Sequence, residues 1–134
     1  DLLKEVITNG TARKAKILKR PDMAGKTGTT NDLIDAWFAG FNSDIVTVTW
    51  MGYDQPKSLG NKETGSRAAL PIWIDYMKPL LKNYPIKNQV KPEGITPLKI
   101  NKKIGMTKNA DEDGFFEYFY EEYPPYDNSY FVIN

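Results

Sequence analysis

The run Gly25-Lys26-Thr27-Gly28-Thr29-Thr30 places a cation, hydroxyls and residues without side chains at consecutive positions. In an extended segment, that set suits a strand that grips a carboxylate and lays its backbone against a ligand. Lys26 would bring the charge, Thr27, Thr29 and Thr30 the hydroxyls, and Gly28 the room for close approach. No nucleophile in a recognisable setting accompanies it. The chain has no cysteine and no histidine, which removes thiol nucleophiles, thiolate metal sites, disulfides and the commonest general base.

Two other chemistries compete for these residues and their neighbours. A phosphate-binding P-loop ends in Gly-Lys-Thr, but it requires a glycine five positions before Gly25. Arg20 stands there, and Pro21 removes a backbone donor from the would-be cradle. Asn109, Asp111, Asp113 and Gly114 fall on positions 1, 3, 5 and 6 of a calcium-binding loop. Position 12 of such a loop is a bidentate glutamate; here it is Tyr120. An acidic turn is the simpler reading, and we expect no metal and no cofactor.

The elements that must position the strand can be read from periodicity. Leu2, Leu3, Val6 and Ile7 recur at helical spacing, with Gly10 where a helix commonly stops. Arg13, Lys14, Lys16, Lys19 and Arg20 form a basic stretch closed by Pro21, expected as a solvated loop or helix face. Residues 22–30 read as a strand. Trp37, Ala39 and Phe41 alternate within 35–42, Val46, Val48 and Trp50 in the next segment, and Asn42-Ser43-Asp44 supplies a turn between them. Trp37, Phe38 and Trp50 are assigned to packing. After a glycine- and lysine-containing connection over 52–65, Leu70, Ile74, Met77 and Leu81 form one stripe of an amphipathic helix. Pro71 fits its first turn, Pro79 should loosen its last, and Trp73 and Met77 should pack on the sheet. Helix, three strands and helix give an α+β class with a mainly antiparallel sheet flanked by helices.

From residue 84 the character changes, and we expect a lobe over 1–83 followed by an extension over 84–134. Pro85, Pro92 and Pro97 punctuate it, Leu98–Asn101 reads as a short strand, and Phe115-Phe116-Glu117-Tyr118-Phe119-Tyr120 mixes aromatic with acidic character. Stacking on nucleic-acid bases needs neighbouring positive charge, so these rings are expected to dock onto another part of a parent protein. Across 134 residues, 18 Lys and Arg balance 17 Asp and Glu for a net charge of +1. No overall field draws the chain to nucleic acid or anionic lipid. No apolar run is long enough to span a membrane. The sequence opens on Asp1 rather than methionine, and we expect it to be a piece of something longer.

The Lys-Thr-Gly triplet alone is a weak signal; its surroundings make it a strong one. Gly25-Lys26-Thr27-Gly28-Thr29-Thr30, Asp35-Ala36-Trp37-Phe38-Ala39-Gly40-Phe41 and Trp50-Met51-Gly52-Tyr53-Asp54 together resemble the end of the transpeptidase domain of class A, bifunctional penicillin-binding proteins. The resemblance extends through Asn9-Gly10-Thr11-Ala12, Glu63-Thr64-Gly65 and Ala68-Ala69-Leu70-Pro71-Ile72-Trp73. It also takes in the tail, from Pro92-Glu93-Gly94-Ile95 to Phe116-Glu117-Tyr118-Phe119.

This resemblance implies the C-terminal lobe of a penicillin-binding or serine β-lactamase-like fold, incomplete in this chain. In that family a serine in Ser-x-x-Lys forms the acyl-enzyme with help from a Ser-x-Asn motif, and the Lys-Thr-Gly strand is the opposite wall. Ser43, Ser58, Ser66 and Ser129 are the only serines here, none with lysine at +3 or asparagine at +2. Roles therefore carry over only to the strand. Lys26 would orient the Ser-x-Asn serine and attract the substrate's terminal carboxylate, and Thr27 and Thr29 would offer it hydroxyls. The backbone N–H of Thr29 would be an oxyanion donor, Gly28 would admit the substrate backbone, and Thr30, Asn31 and Asp32 would shape the rim. The implied partners are peptidoglycan stem peptides, β-lactams and the upstream segment carrying both serine motifs. The implied setting is the periplasmic face of the bacterial inner membrane, with an upstream anchor and a glycosyltransferase domain. Alone, this piece should be catalytically inactive. The competing readings are a β-lactamase-type hydrolase fragment and a non-catalytic binding module of the same fold.

Overall fold

Alternation along two neighbouring segments decides the centre of the fold. A computed structural model of the chain describes residues 2–87, 90–101 and 114–125, and divides it into two compact units, Asp1–Gln89 and Val90–Asn134. In the first unit, strands β1 (Ala24–Thr29), β2 (Ala36–Phe41) and β3 (Val46–Met51) form an antiparallel sheet in chain order. The register pairs Lys26 with Ala39, Thr27 with Phe38 and Gly28 with Trp37, and on the far side Trp37 with Trp50 and Gly40 with Thr47. Because strand side chains alternate between faces, this register gives the sheet two unlike sides.

One side carries Ala36, Phe38 and Gly40 and is covered. Helix α1 (Leu2–Thr8) buries Ile7, and helix α2 (Leu70–Leu80) buries Leu70, Trp73, Ile74 and Met77, with Leu81 buried just beyond it. The expected stripe is the core stripe. Trp73 donates its indole N–H to the Thr47 carbonyl at 3.2 Å and meets Phe38 edge-on at a centroid distance of 4.9 Å. That close approach requires Gly40: a Cβ there would lie 2.3 Å from the Trp73 ring. Gly40→Ala is expected to destabilise the chain by about 1–3 kcal/mol through overpacking, read as a lowered urea midpoint. A π-helical turn, Gly65–Ala69, leads into α2. Pro79 sits in the last α-helical turn, after which the chain tightens into a 3₁₀ turn at Leu81–Asn83, as a residue without an N–H near a helix end predicts.

The other side carries Trp37, Val46, Val48 and Trp50, and here the packing assignment needs correction. Phe38 is fully buried, but Trp37 and Trp50 remain 41% and 45% exposed. They face away from α2 and lean on each other across the strand pair, ring centroids 6.2 Å apart. Trp50 also donates its N–H to the Asp35 carboxylate at 2.9 Å.

The basic stretch divides as well. Arg13, Lys14, Lys16 and Lys19 are exposed on or beside a 3₁₀ turn, Arg13–Leu18, that buries only Ala15. Arg20 is not solvated: its side chain is 7% exposed and forks onto Asp22, 2% exposed, at 2.8 and 2.6 Å. The same guanidinium donates to the carbonyls of Leu81, Tyr84 and Pro85, while Asn42 donates to Asp22 at 3.3 Å. This cluster ties the entry of β1 to the end of α2 and to the β2–β3 turn. The hydrogen bonds from Arg20 hold the Asp22 carboxyl below its ordinary pKa, and their reciprocal raises that of Arg20.

In the second unit, β4 (Ile95–Asn101) pairs antiparallel with β5 (Gly114–Tyr120), from Ile95 opposite Tyr120 to Asn101 opposite Gly114. The strand expected over Leu98–Asn101 starts three residues earlier, and the aromatic run is its partner. Ile100 is buried, while Phe116, Tyr118 and Tyr120 stand exposed on one face. Asn109, Asp111 and Asp113 of the acidic turn lie outside the described residues.

Candidate functional site

Strand β1 lies at one end of the three-stranded order, so among the described residues only one of its edges is paired. The turn that follows it is held by Thr30, whose hydroxyl accepts the Asp35 N–H at 2.8 Å and whose own N–H reaches the Asp35 carbonyl at 3.0 Å. Asp32 and Leu33 within this turn both have left-handed backbones, φ 60° and 56°, an uncommon conformation for residues with a Cβ. The Leu33 carbonyl is tied to Leu59 N–H at 2.8 Å. The rim beyond β1 is therefore braced by the 52–65 connection and by the Trp50–Asp35 bond.

Alternation splits the strand's side chains. Lys26 and Gly28 belong to the open face with Trp37 and Val48, while Thr27 and Thr29 belong to the face of Phe38 and Ala36. Lys26 is exposed, and its ammonium rests on the carbonyl of Thr27 at 2.9 Å. The Thr27 hydroxyl lies 2.9 Å from that of Thr11, in the connection after α1. The Thr29 hydroxyl accepts the N–H of Gly65 at 3.0 Å. Gly65 can approach so closely only without a side chain: a Cβ would fall 2.4 Å from the carbonyl oxygens of Gly28 and Trp37.

The strand thus offers an exposed cation on one side of its free edge and two braced hydroxyls on the other. An oxygen that accepts a hydrogen bond keeps its own proton to donate, so Thr29 retains an O–H for a ligand. Such a set of donors suits anion recognition, with Lys26 as the charge. Of the strand residues expected at a site, Lys26, Thr27, Gly28 and Thr29 are contiguous on this edge, and the Thr30 hydroxyl is engaged in the turn.

No family model matches the chain. Penicillin-binding protein 1A of Pseudomonas aeruginosa is 49% identical to it over 125 residues, covering 92% of this chain. That of Aquifex aeolicus is 54% identical over 104 residues, 77% of this chain. The crystal structure of penicillin-binding protein 1A from Haemophilus influenzae matches with a TM-score of 0.85 at 34% identity, over 92% of this chain. The chain belongs to the class A penicillin-binding proteins. It spans 15% and 14% of the lengths of the Pseudomonas and Aquifex relatives and 20% of the Haemophilus chain, and the fold is the part of the α+β architecture that such a segment supplies.

A match over 125 of 134 residues must run from the first unit into the second, so this penicillin-binding protein segment shares sequence with its relative beyond α2. Three contributors to the strand's setting do not stand out as site residues in the sequence. Thr11 and Gly65 lie inside segments that carry the resemblance, which is the available signal. Asp35 has the same signal, but nothing in the residue order shows that it receives the Trp50 indole.

Proposed function

We propose that this chain is the part of a peptidoglycan D,D-transpeptidase that presents the Lys26–Thr29 strand to an acyl-enzyme formed on a serine upstream. The carrying observation is the edge strand itself: exposed Lys26, side-chain-free Gly28 and the hydroxyls of Thr27 and Thr29 on consecutive positions. Lys26 supplies positive charge, orienting the Ser-x-Asn serine and drawing in the terminal carboxylate of a stem peptide. In the free chain the Thr27 carbonyl occupies that ammonium, and a substrate carboxylate is a stronger acceptor because it is charged. Thr27 and Thr29 donate to the same carboxylate. The Thr29 N–H faces the oxyanion that develops on the attacked carbonyl, where a fixed donor is worth about 3–4 kcal/mol of barrier.

The parent works at the periplasmic face of the inner membrane, anchored by an upstream segment, and β-lactams acylate the same serine. Shared sequence beyond α2 favours this reading over a β-lactamase fragment, since those hydrolases resemble the chain only as far as that helix. The test is covalent labelling with a fluorescent penicillin. The full-length protein is expected to label on the serine of an upstream Ser-x-x-Lys, and the 134-residue chain to stay unlabelled. An unlabelled full-length protein sinks the proposal and leaves a binding module.

A further inference from the structure

The two threonine hydroxyls of β1 are held from opposite ends of the unit, and the way they are held sets which way their protons point. At Thr29 the polarity is fixed: the Gly65 backbone N–H can only donate, so the Thr29 oxygen accepts and its proton is left for a ligand. At Thr27 the contact is hydroxyl to hydroxyl, 2.9 Å from Thr11, and either oxygen can donate. If Thr27 donates to Thr11, it turns only lone pairs toward an incoming anion. If Thr11 donates to Thr27, the Thr27 proton is released in the same manner as that of Thr29.

We infer that Thr11 is a positioning residue that donates to Thr27 and thereby makes Thr27 and Thr29 a matched pair of outward O–H donors for one carboxylate. The inference rests on the proposed acyl-transfer reading and adds to it a residue outside the strand. Alternate residues of a strand stand about 6.7 Å apart, a gap that one carboxylate fills with charge-assisted O–H contacts of about 2.6 Å on either side. The backbone beside Thr11 is fixed, because the neighbouring Ala12 is buried and its N–H is bonded to the Val6 carbonyl at 2.9 Å. The hydroxyl itself is at an exposed position, so its removal takes little from the core.

The experiment compares second-order acylation of the full-length protein by benzylpenicillin and by its neutral methyl ester, for wild type, Thr11→Val, Thr11→Ala and Thr11→Ser. The wild type is expected to prefer the carboxylate form. Thr11→Val should reduce that preference about three- to tenfold, the scale of one hydrogen bond, while the ester rate holds steady. Thr11→Ala should behave alike, and Thr11→Ser should restore the preference to within about twofold. Equal loss with both compounds, or no change in the preference, overturns the role of Thr11 while acyl transfer stands. A wild type that neither compound acylates overturns the acyl-transfer reading, and this inference with it.

Discussion

Arg20→Met is expected to destabilise the chain by about 3–5 kcal/mol, the cost of leaving a buried carboxylate without its partner. The size follows from how much the guanidinium satisfies. It forks onto Asp22 at 2.8 and 2.6 Å and also donates to the carbonyls of Leu81, Tyr84 and Pro85. After substitution Asp22 keeps the longer contact from Asn42 at 3.3 Å and backbone donors, that of Lys87 among them, but no charged partner to match the lost fork. Urea unfolding at neutral pH should show the drop directly. Its pH dependence carries the mechanism. The folded pKa of Asp22 is lowered, so its contribution is fully present above the unfolded value of about 3.9 and is lost as pH falls through the lower folded value. The gap between wild type and Arg20→Met should therefore be widest at about pH 7 and narrow in acid as Asp22 takes up its proton, since a neutral carboxyl no longer needs a cation. Asp22→Asn should flatten that acid limb, and the double variant Arg20→Met with Asp22→Leu should recover part of the stability. A loss of under about 0.5 kcal/mol, the range of ordinary surface substitutions, would mean that Arg20 is solvated after all.

The contrast between Arg20 and its neighbours marks where residue order stops being informative. The stripe Leu70, Ile74, Met77 and Leu81 was legible because helix period and apolar character agree, and all four are buried. The β2–β3 hairpin was legible because alternation and the Asn42 turn agree; Asn42 indeed accepts the N–H groups of Asp44 and Ile45. Period cannot say which face of a sheet is covered, because Trp37 and Phe38 are equally apolar and only α2 decides between them. It cannot say which of five neighbouring cations is buried, because the acceptors of Arg20 lie sixty-odd residues away. The aromatic run of β5 gave no pairing signal, since period 2 is absent when nearly every residue is apolar. At the candidate site the strand was readable from its residue types. The hydroxyl partner of Thr27 and the amide partner of Thr29 come from the α1 connection and the π-helical turn, and only tertiary structure brings them there.

Lys26→Ala separates catalysis from stability in the opposite sense to Arg20. Lys26 is exposed and its one described bond is to the carbonyl of the next residue, so the folded chain should change by no more than about 0.5 kcal/mol. In the full-length protein the same substitution is expected to slow acylation by a β-lactam by about 10²-fold or more, the scale of removing one preorganised electrostatic contact from a reacting centre. Lys26→Arg should recover only part of that rate, since a planar fork replaces a compact point charge at a site built against Gly28 and Trp37. Measured together, an unchanged urea midpoint and a collapsed acylation rate would place the ammonium in the site, acting on the reacting groups or on the ligand carboxylate, and not in the fold. An unchanged acylation rate would reduce Lys26 to a solvated strand lysine. The chemistry would then have to be sought in the residues around the upstream serine, with β1 as scaffold. Gly28 does not decide between the two outcomes, because a Cβ there would lie 3.1 Å from the Trp37 side chain, so packing alone favours glycine at that position.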